Sequence, residues 1–152
     1  MSERTNGPLA LDELKRLIRS AGYQMYGTRA QEVLLAERVR DNLILDSGIS
    51  VSPDPLTIHV TVRAQMLHFP GQSLDECRAF AERLGQAFLA LGYERKGAQE
   101  VSIPDMNNAG VALDTVCEVS LEKPLPSPKD IPGAIQRALA LPRTSAELEG
   151  NS

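Results

Sequence analysis

Aromatic residues make up only 4% of this 152-residue chain, and tryptophan is absent. Carbohydrate platforms and base-stacking surfaces are built from exposed rings, so neither is expected. Basic charge is also short. Lys and Arg number 16 against 20 Asp and Glu, a net charge of -4, and the one basic cluster is Arg95-Lys96 beside Glu94. Nucleic-acid binders carry a basic patch, so no nucleic-acid partner is expected. No run of 18 apolar residues exists, which argues against a membrane span. The polar start, Met1–Leu11, lacks the apolar stretch of a signal peptide, and the expected location is cytoplasmic. There are two cysteines, Cys77 and Cys117. Both fall on predicted apolar faces and read as buried reduced thiols. The chain has no Gly-rich phosphate loop, no G-x-S-x-G, no C-x-x-C and no H-E-x-x-H, so no cofactor and no metal are expected.

What is present is organised around residues 57–123. Leu74, Cys77, Phe80, Ala81, Leu84, Ala87, Phe88 and Leu91 recur at three- and four-residue steps. They form one apolar stripe on a helix over 73–92. Ser73 and Glu76 make a capping-box pattern, and Gly92 ends the helix. Before it, Leu56, Ile58, Val60, Val62, Ala64 and Met66 alternate with Thr57, His59, Thr61, Arg63 and Gln65, which predicts a strand over 56–68. After it, residues 93–103 predict a weaker strand. Residues 111–121 alternate Val111, Leu113, Cys117, Val119 and Leu121 with Asp114, Glu118 and Ser120, and the polar loop 104–110 joins the two.

Toward the ends, residues 1–8 and 143–152 read as flexible tails around a single domain, 9–142. Leu11, Leu14, Leu17, Ile18 and Ala21 predict a first helix over 9–21. Thr28 and Gln31 repeat the capping-box pattern and predict a second helix to about Asp41, in good helix-forming composition. Residues 43–48 read as the end of that helix or as a turn, with a short strand at 49–52. A last helix begins near Pro128, carrying Ile131, Ala134, Ile135, Ala138 and Leu139.

The expected fold is therefore α+β: an antiparallel sheet of three to four strands with helices on one face, preceded by two N-terminal helices. The strand-helix-strand-strand-helix run is ferredoxin-like. Size, acidity and alternation are also similar to the small acidic dimeric chaperones of secretion systems, from which two successive N-terminal helices depart.

Few residues suggest chemistry. His59 and His68 sit nine positions apart on one predicted strand, face opposite ways, and cannot share a metal. No Ser or Cys near His59 in sequence is there to be activated. Residues 105–110 begin like a calcium loop, but Val116 stands where a bidentate Glu is needed. Asp114, Glu118 and Glu122 read as a solvated strand face. The amphipathic helices at both ends exceed what one small sheet face can cover, which points to a protein partner or a homodimer. The leading expectation is a non-enzymatic adaptor, chaperone or regulatory protein that offers Leu11, Leu14, Leu17 and Ile18 to its partner. One alternative is a ligand-binding or enzymatic domain with a closed pocket near Tyr23, Tyr26 and Arg29. Another is a structural subunit of a larger assembly.

Overall fold

The structure, a computed structural model, describes residues 9–40, 43–69, 71 and 73–145. The expected N-terminal tail and most of the C-terminal one lie outside the described residues. The elements run α1 (Leu11–Ser20), β1 (Met25–Arg29), β2 (Glu32–Arg40), β3 (Leu43–Pro53), β4 (Leu56–Gln65), α2 (Leu74–Leu89), β5 (Glu94–Pro104), β6 (Ala112–Pro124) and α3 (Ile131–Leu139). Six strands form an antiparallel sheet in the order β1-β2-β3-β4-β6-β5.

This overturns the expected three- to four-stranded sheet behind two N-terminal helices, and with it the ferredoxin-like and secretion-chaperone-like arrangements. The second helix is a β-hairpin. Arg29 pairs with Glu32 around Ala30-Gln31, and β2 then pairs with β3. Val33-Leu34-Leu35-Ala36 fits a helix face and a strand equally well. Burial decides between them: Val33 and Leu35 are buried while Leu34 and Ala36 are half-buried, the two-residue period of a strand. The hairpin was concealed by its turn. Two-residue hairpin loops need positive φ, usually from Gly or Asn, but here Ala30 takes φ +54°.

β3 is longer than the strand expected at 49–52 and carries an irregularity. Its pairing with β2 slips between Leu34↔Ser50 and Ala36↔Asp46. Ser47 repairs the gap: its Oγ donates to the Leu35 carbonyl at 2.8 Å and accepts from the Ile49 amide at 3.1 Å. A side chain thus satisfies ladder groups that the bulge leaves open.

The chain divides into two compact units: Met1–Val60 with Glu122–Ala140, and Thr61–Leu121 with Leu141–Ser152. In the first, α1 packs on β1, β2 and β3, and α3 packs on β3. Leu14, Ile18, Val33, Leu35, Ile49, Val51, Ile58, Ile131 and Ile135 are essentially inaccessible. α1 ends where Gly22 takes φ +93°, and the Tyr23 amide reaches back to the Ile18 carbonyl at 3.2 Å.

In the second unit α2 follows the sequence closely. Ser73 Oγ accepts from the Glu76 amide at 3.2 Å. At the far end Gly92 takes φ +95°, and the Tyr93 amide bonds the Phe88 carbonyl at 3.1 Å. The two rings meet edge-on at 5.3 Å, the apolar contact that accompanies this stop. Cys77, Ala81, Leu84 and Phe88 are buried, with Val62, Ala64, Cys117, Val119 and Leu121 of β4 and β6. The expected strand 56–68 ends early, because Met66–His68 coil into a 3-10 turn. Residues 143–145, read as the start of a tail, are held. Arg63 exchanges backbone bonds with Arg143 and Ser145 at 2.9 Å each, and Ser145 is fully buried.

Ala30 occupies a backbone region that L-residues enter at a cost of roughly 1–2 kcal/mol, part of which glycine returns through unfolded-chain entropy. Ala30→Gly is expected to stabilise the protein by about 1 kcal/mol in a denaturant titration. An equal or lower midpoint would show that the turn carries no such strain.

Candidate functional site

The residues expected to line a ligand pocket do not converge. Tyr23 donates its hydroxyl to the Pro132 carbonyl at 3.3 Å, a structural bond between the end of α1 and α3. Arg29 lies 4.0 Å from Glu32 across the hairpin turn. Tyr26 is 52% exposed on β1 and lines an open groove of about 280 Å³ with Lys15, Arg19, Met25, Gly27 and Thr28. The closed apolar cavity that a small ligand requires is not found there. The space under α1 is filled instead, by Leu14 and Ile18 at 0% exposure. The same fact removes Leu14 and Ile18 from any partner surface, because their own sheet has used them. Leu11 is half-buried and Leu17 is 38% exposed.

The carboxylates read as solvated are all engaged. Asp114 is buried. It accepts from the Leu67 amide at 3.1 Å, the Thr115 amide at 2.7 Å and Gln65 Nε2 at 3.2 Å. The 3-10 turn after β4 folds over it, which alternation along β6 could not reveal. Glu118 binds Arg63 Nε at 2.7 Å and Gln99 Nε2 at 2.7 Å. Among the described residues no group of three or more His, Cys, Asp or Glu is placed to hold a metal ion. Asp105 caps its own turn, accepting from the Asn107 amide at 2.9 Å.

Glu122 takes part in an arrangement that the sequence reading missed. His59 Nε2 lies 2.8 Å from Ser52 Oγ, and His59 Nδ1 lies 3.2 Å from Glu122 Oε2. Ser, His and Glu thus stand side by side on β3, β4 and β6, with the linkage of a hydrolytic triad. With Nδ1–H donated to the carboxylate, Nε2 is left to accept from the serine. Contrary to the expectation that no serine stands near His59, Ser52 precedes it by seven residues, across the Pro53-Asp54-Pro55 turn.

Acyl transfer also needs amide donors aimed at the developing oxyanion. The residue after the serine is Pro53, which has no N–H, and Val51 before it is paired with both Val33 and Ile58. A nucleophile inside a sheet ladder has spent its neighbouring donors on strand pairing. The relay therefore reads as a cross-strand polar contact, of the kind worth about 0.2–1 kcal/mol per pair.

In the second unit, Arg78, Glu82, Gln99, Glu100, Cys117 and Glu118 border a cleft of about 180 Å³ between α2, β5 and β6. That is smaller than the roughly 300–1,000 Å³ of ligand sites. Its rim is tied by ion pairs. Arg95 grips Glu82 with two bonds, at 2.6 and 3.0 Å, and Arg78 bonds Glu100. The bond from Arg78 holds the Glu100 carboxyl below its ordinary range. Cys117 is 3% exposed, and burial, reinforced by the neighbouring Cys77 thiol, pushes its thiol up to about 12. A thiol held neutral is a poor nucleophile.

Exposed apolar side chains gather on the β5–β6 hairpin. β5 is a terminal strand of the sheet, eleven residues long, and exposed at every position except Gly97 and Ile103, which are half-exposed. At its far end Val101, Met106, Val111 and Leu113 are 41, 91, 46 and 57% exposed. Alternation had assigned Val111 and Leu113 to a buried face. The β6 side chains that meet α2 are instead Val119 and Leu121, beside Gly85.

A fluorophosphonate probe is expected to leave Ser52 unlabelled, and Ser52→Ala to lower stability by about 1 kcal/mol or less. Labelling at Ser52 would reinstate hydrolysis. For Cys117, whose folded thiol is raised above its ordinary 9, the unfolded chain loses its proton first. Its contribution to stability is full below about pH 9 and is lost as pH rises toward 12. Alkaline denaturation should be steeper over that window for the wild type than for Cys117→Ala; equal slopes would refute the assignment. No family model, no curated protein and no solved structure matches the chain.

Proposed function

We propose that this chain is a non-enzymatic protein-binding module, an adaptor, chaperone or regulatory protein, whose binding element is the β5–β6 hairpin. The observation that carries this reading is the length and exposure of β5 as a sheet edge. An edge strand presents a row of unpaired N–H and C=O groups, which templates pairing with another chain. Eleven residues at about 3.3 Å each extend roughly 36 Å. β1, at the other edge, is also largely exposed but has only five residues. Proteins usually blunt a long edge or use it, and strand addition to an exposed edge is a recurrent mode of protein recognition. Two ion pairs to α2 hold β5 in place beforehand, which lowers the ordering cost of binding. The apolar hairpin end supplies side chains that gain from burial.

No competing chemistry is supported to the same degree. The Ser52–His59–Glu122 relay lacks oxyanion donors at its serine, and the cleft beside Cys117 is small and bordered by ion pairs already made.

The test uses chain isolated gently from its own host and weighed by native mass spectrometry. Wild type is expected to travel as an assembly heavier than the bare chain. Met106→Asp/Leu113→Asp, two changes at exposed positions that leave the core intact, should travel mostly as the bare chain. Wild type found only as the bare chain would end the proposal.

A further inference from the structure

We propose that the end of the β5–β6 hairpin docks in the groove between α1 and β1 of a second copy of this chain. This rests on the hairpin being the binding element and adds the identity of its partner.

Charge is unevenly spread along the chain. From Gly97 to Glu122 there are five carboxylates, Glu100, Asp105, Asp114, Glu118 and Glu122, and no Lys, Arg or His. With a net charge of -4 over the whole chain, the rest is left net positive. Three of the five carboxylates meet a basic side chain from another element: Arg78 at Glu100, Arg63 at Glu118 and His59 at Glu122. Asp105 and Asp114 do not. Asp105 accepts from the Asn107 amide, and Asp114 from the Leu67 and Thr115 amides and from Gln65 Nε2, all uncharged donors. The hairpin end therefore carries negative charge with no counter-ion among the described residues. Beside that charge the side chains are apolar and exposed, above all Met106, next to Asp105, at 91%.

The groove has the opposite character. Lys15 and Arg19 lie one turn apart on α1 and share a face. Both line the groove, with Met25, Tyr26, Gly27 and Thr28 of β1. Neither cation is paired with a carboxylate among the described residues. The trough is open, about 280 Å³ in volume. A Cβ built at Gly27 meets nothing within 4 Å, so its floor is unobstructed. The Tyr26 ring stands 52% exposed beside it.

Each surface supplies what the other lacks. A methionine side chain is flexible and polarisable and packs well on an aromatic ring. With Met106 of one copy laid on Tyr26 of the next, Asp105 comes to Lys15 and Arg19 of that second copy. Unpaired charges of both signs are then matched, and opposite potentials steer the encounter. The two surfaces differ, so the contact is heterologous, and every copy has one of each to offer.

The test breaks each surface separately and follows association by sedimentation velocity. Wild type self-associates as its concentration is raised. Lys15→Glu/Arg19→Glu removes the groove, and Met106→Asp/Leu113→Asp removes the hairpin end. Each raises the dissociation constant about tenfold or more. Mixing the two variants then yields a one-to-one heterodimer and nothing larger, because one supplies the only intact hairpin end and the other the only intact groove. A misfolded variant could not complement the other, so the mixture controls for folding. A hairpin-to-hairpin dimer would not be restored by mixing, so a mixture that stays monomeric overturns the proposal. Groove substitutions that leave self-association unchanged also overturn it. So does wild type that is monomeric alone, even if it is recovered from its host in a complex with a different protein. That last result would leave the protein-binding reading standing, whereas a bare monomer in both experiments would remove both.

Discussion

β4 has to be hydrogen-bonded on both sides along its whole length, and no single neighbour does this. On the side away from β6, β3 pairs with Leu56–Val60 and stops. Further along, Arg63 finds its backbone partners in Arg143 and Ser145, and the Gln65 amide donates to Ser145 Oγ at 2.8 Å. An apolar strand with one side left open would bury unsatisfied amides, each at a cost of about 1–3 kcal/mol. Among the described residues every buried side-chain polar atom has a partner. The buried position of Ser145, whose hydroxyl also meets His68 Nδ1 at 2.5 Å, follows from that demand and from nothing in its own neighbourhood of the sequence.

This explains which parts of the fold could be read in advance. α2 was legible because its cap, its period and its stop are all local and agree. β4 was legible because its two faces meet different surroundings. β2 was not. Glu32 to Arg40 is composed largely of Glu, Leu, Ala and Arg, good helix formers, and what holds it extended is pairing with β3, whose residues lie outside the window that a pattern search inspects. The turn that announces the hairpin uses Ala30 in a conformation that its residue type gives no reason to expect. Residues 143–145 failed for the same reason: their bonds go to Arg63, about eighty positions earlier.

The candidate sites show the same division. Alternation placed Asp114, Glu118 and Glu122 on one face correctly but could not say what lies over that face. A 3-10 turn covers Asp114, Arg63 reaches Glu118, and His59 reaches Glu122. The Ser52–His59–Glu122 relay required knowledge of which strands are neighbours. Its geometry alone would suggest catalysis, and only the backbone around Ser52 argues otherwise. Three side chains at triad distances are easily assembled on a polar sheet face; free amide donors beside them would have been the informative feature.

Charge on β5 bears on how its edge can pair. Glu94, Arg95, Lys96 and Glu100 make the strand polar, which discourages indiscriminate edge pairing. A uniformly apolar edge would accept any strand in several registers, and a uniformly charged one would accept none. Mixed signs narrow the choice to strands whose own charges complement them. The ion pairs from Arg95 and Glu100 to α2 add to this, because a strand already held loses little freedom when another chain pairs with it.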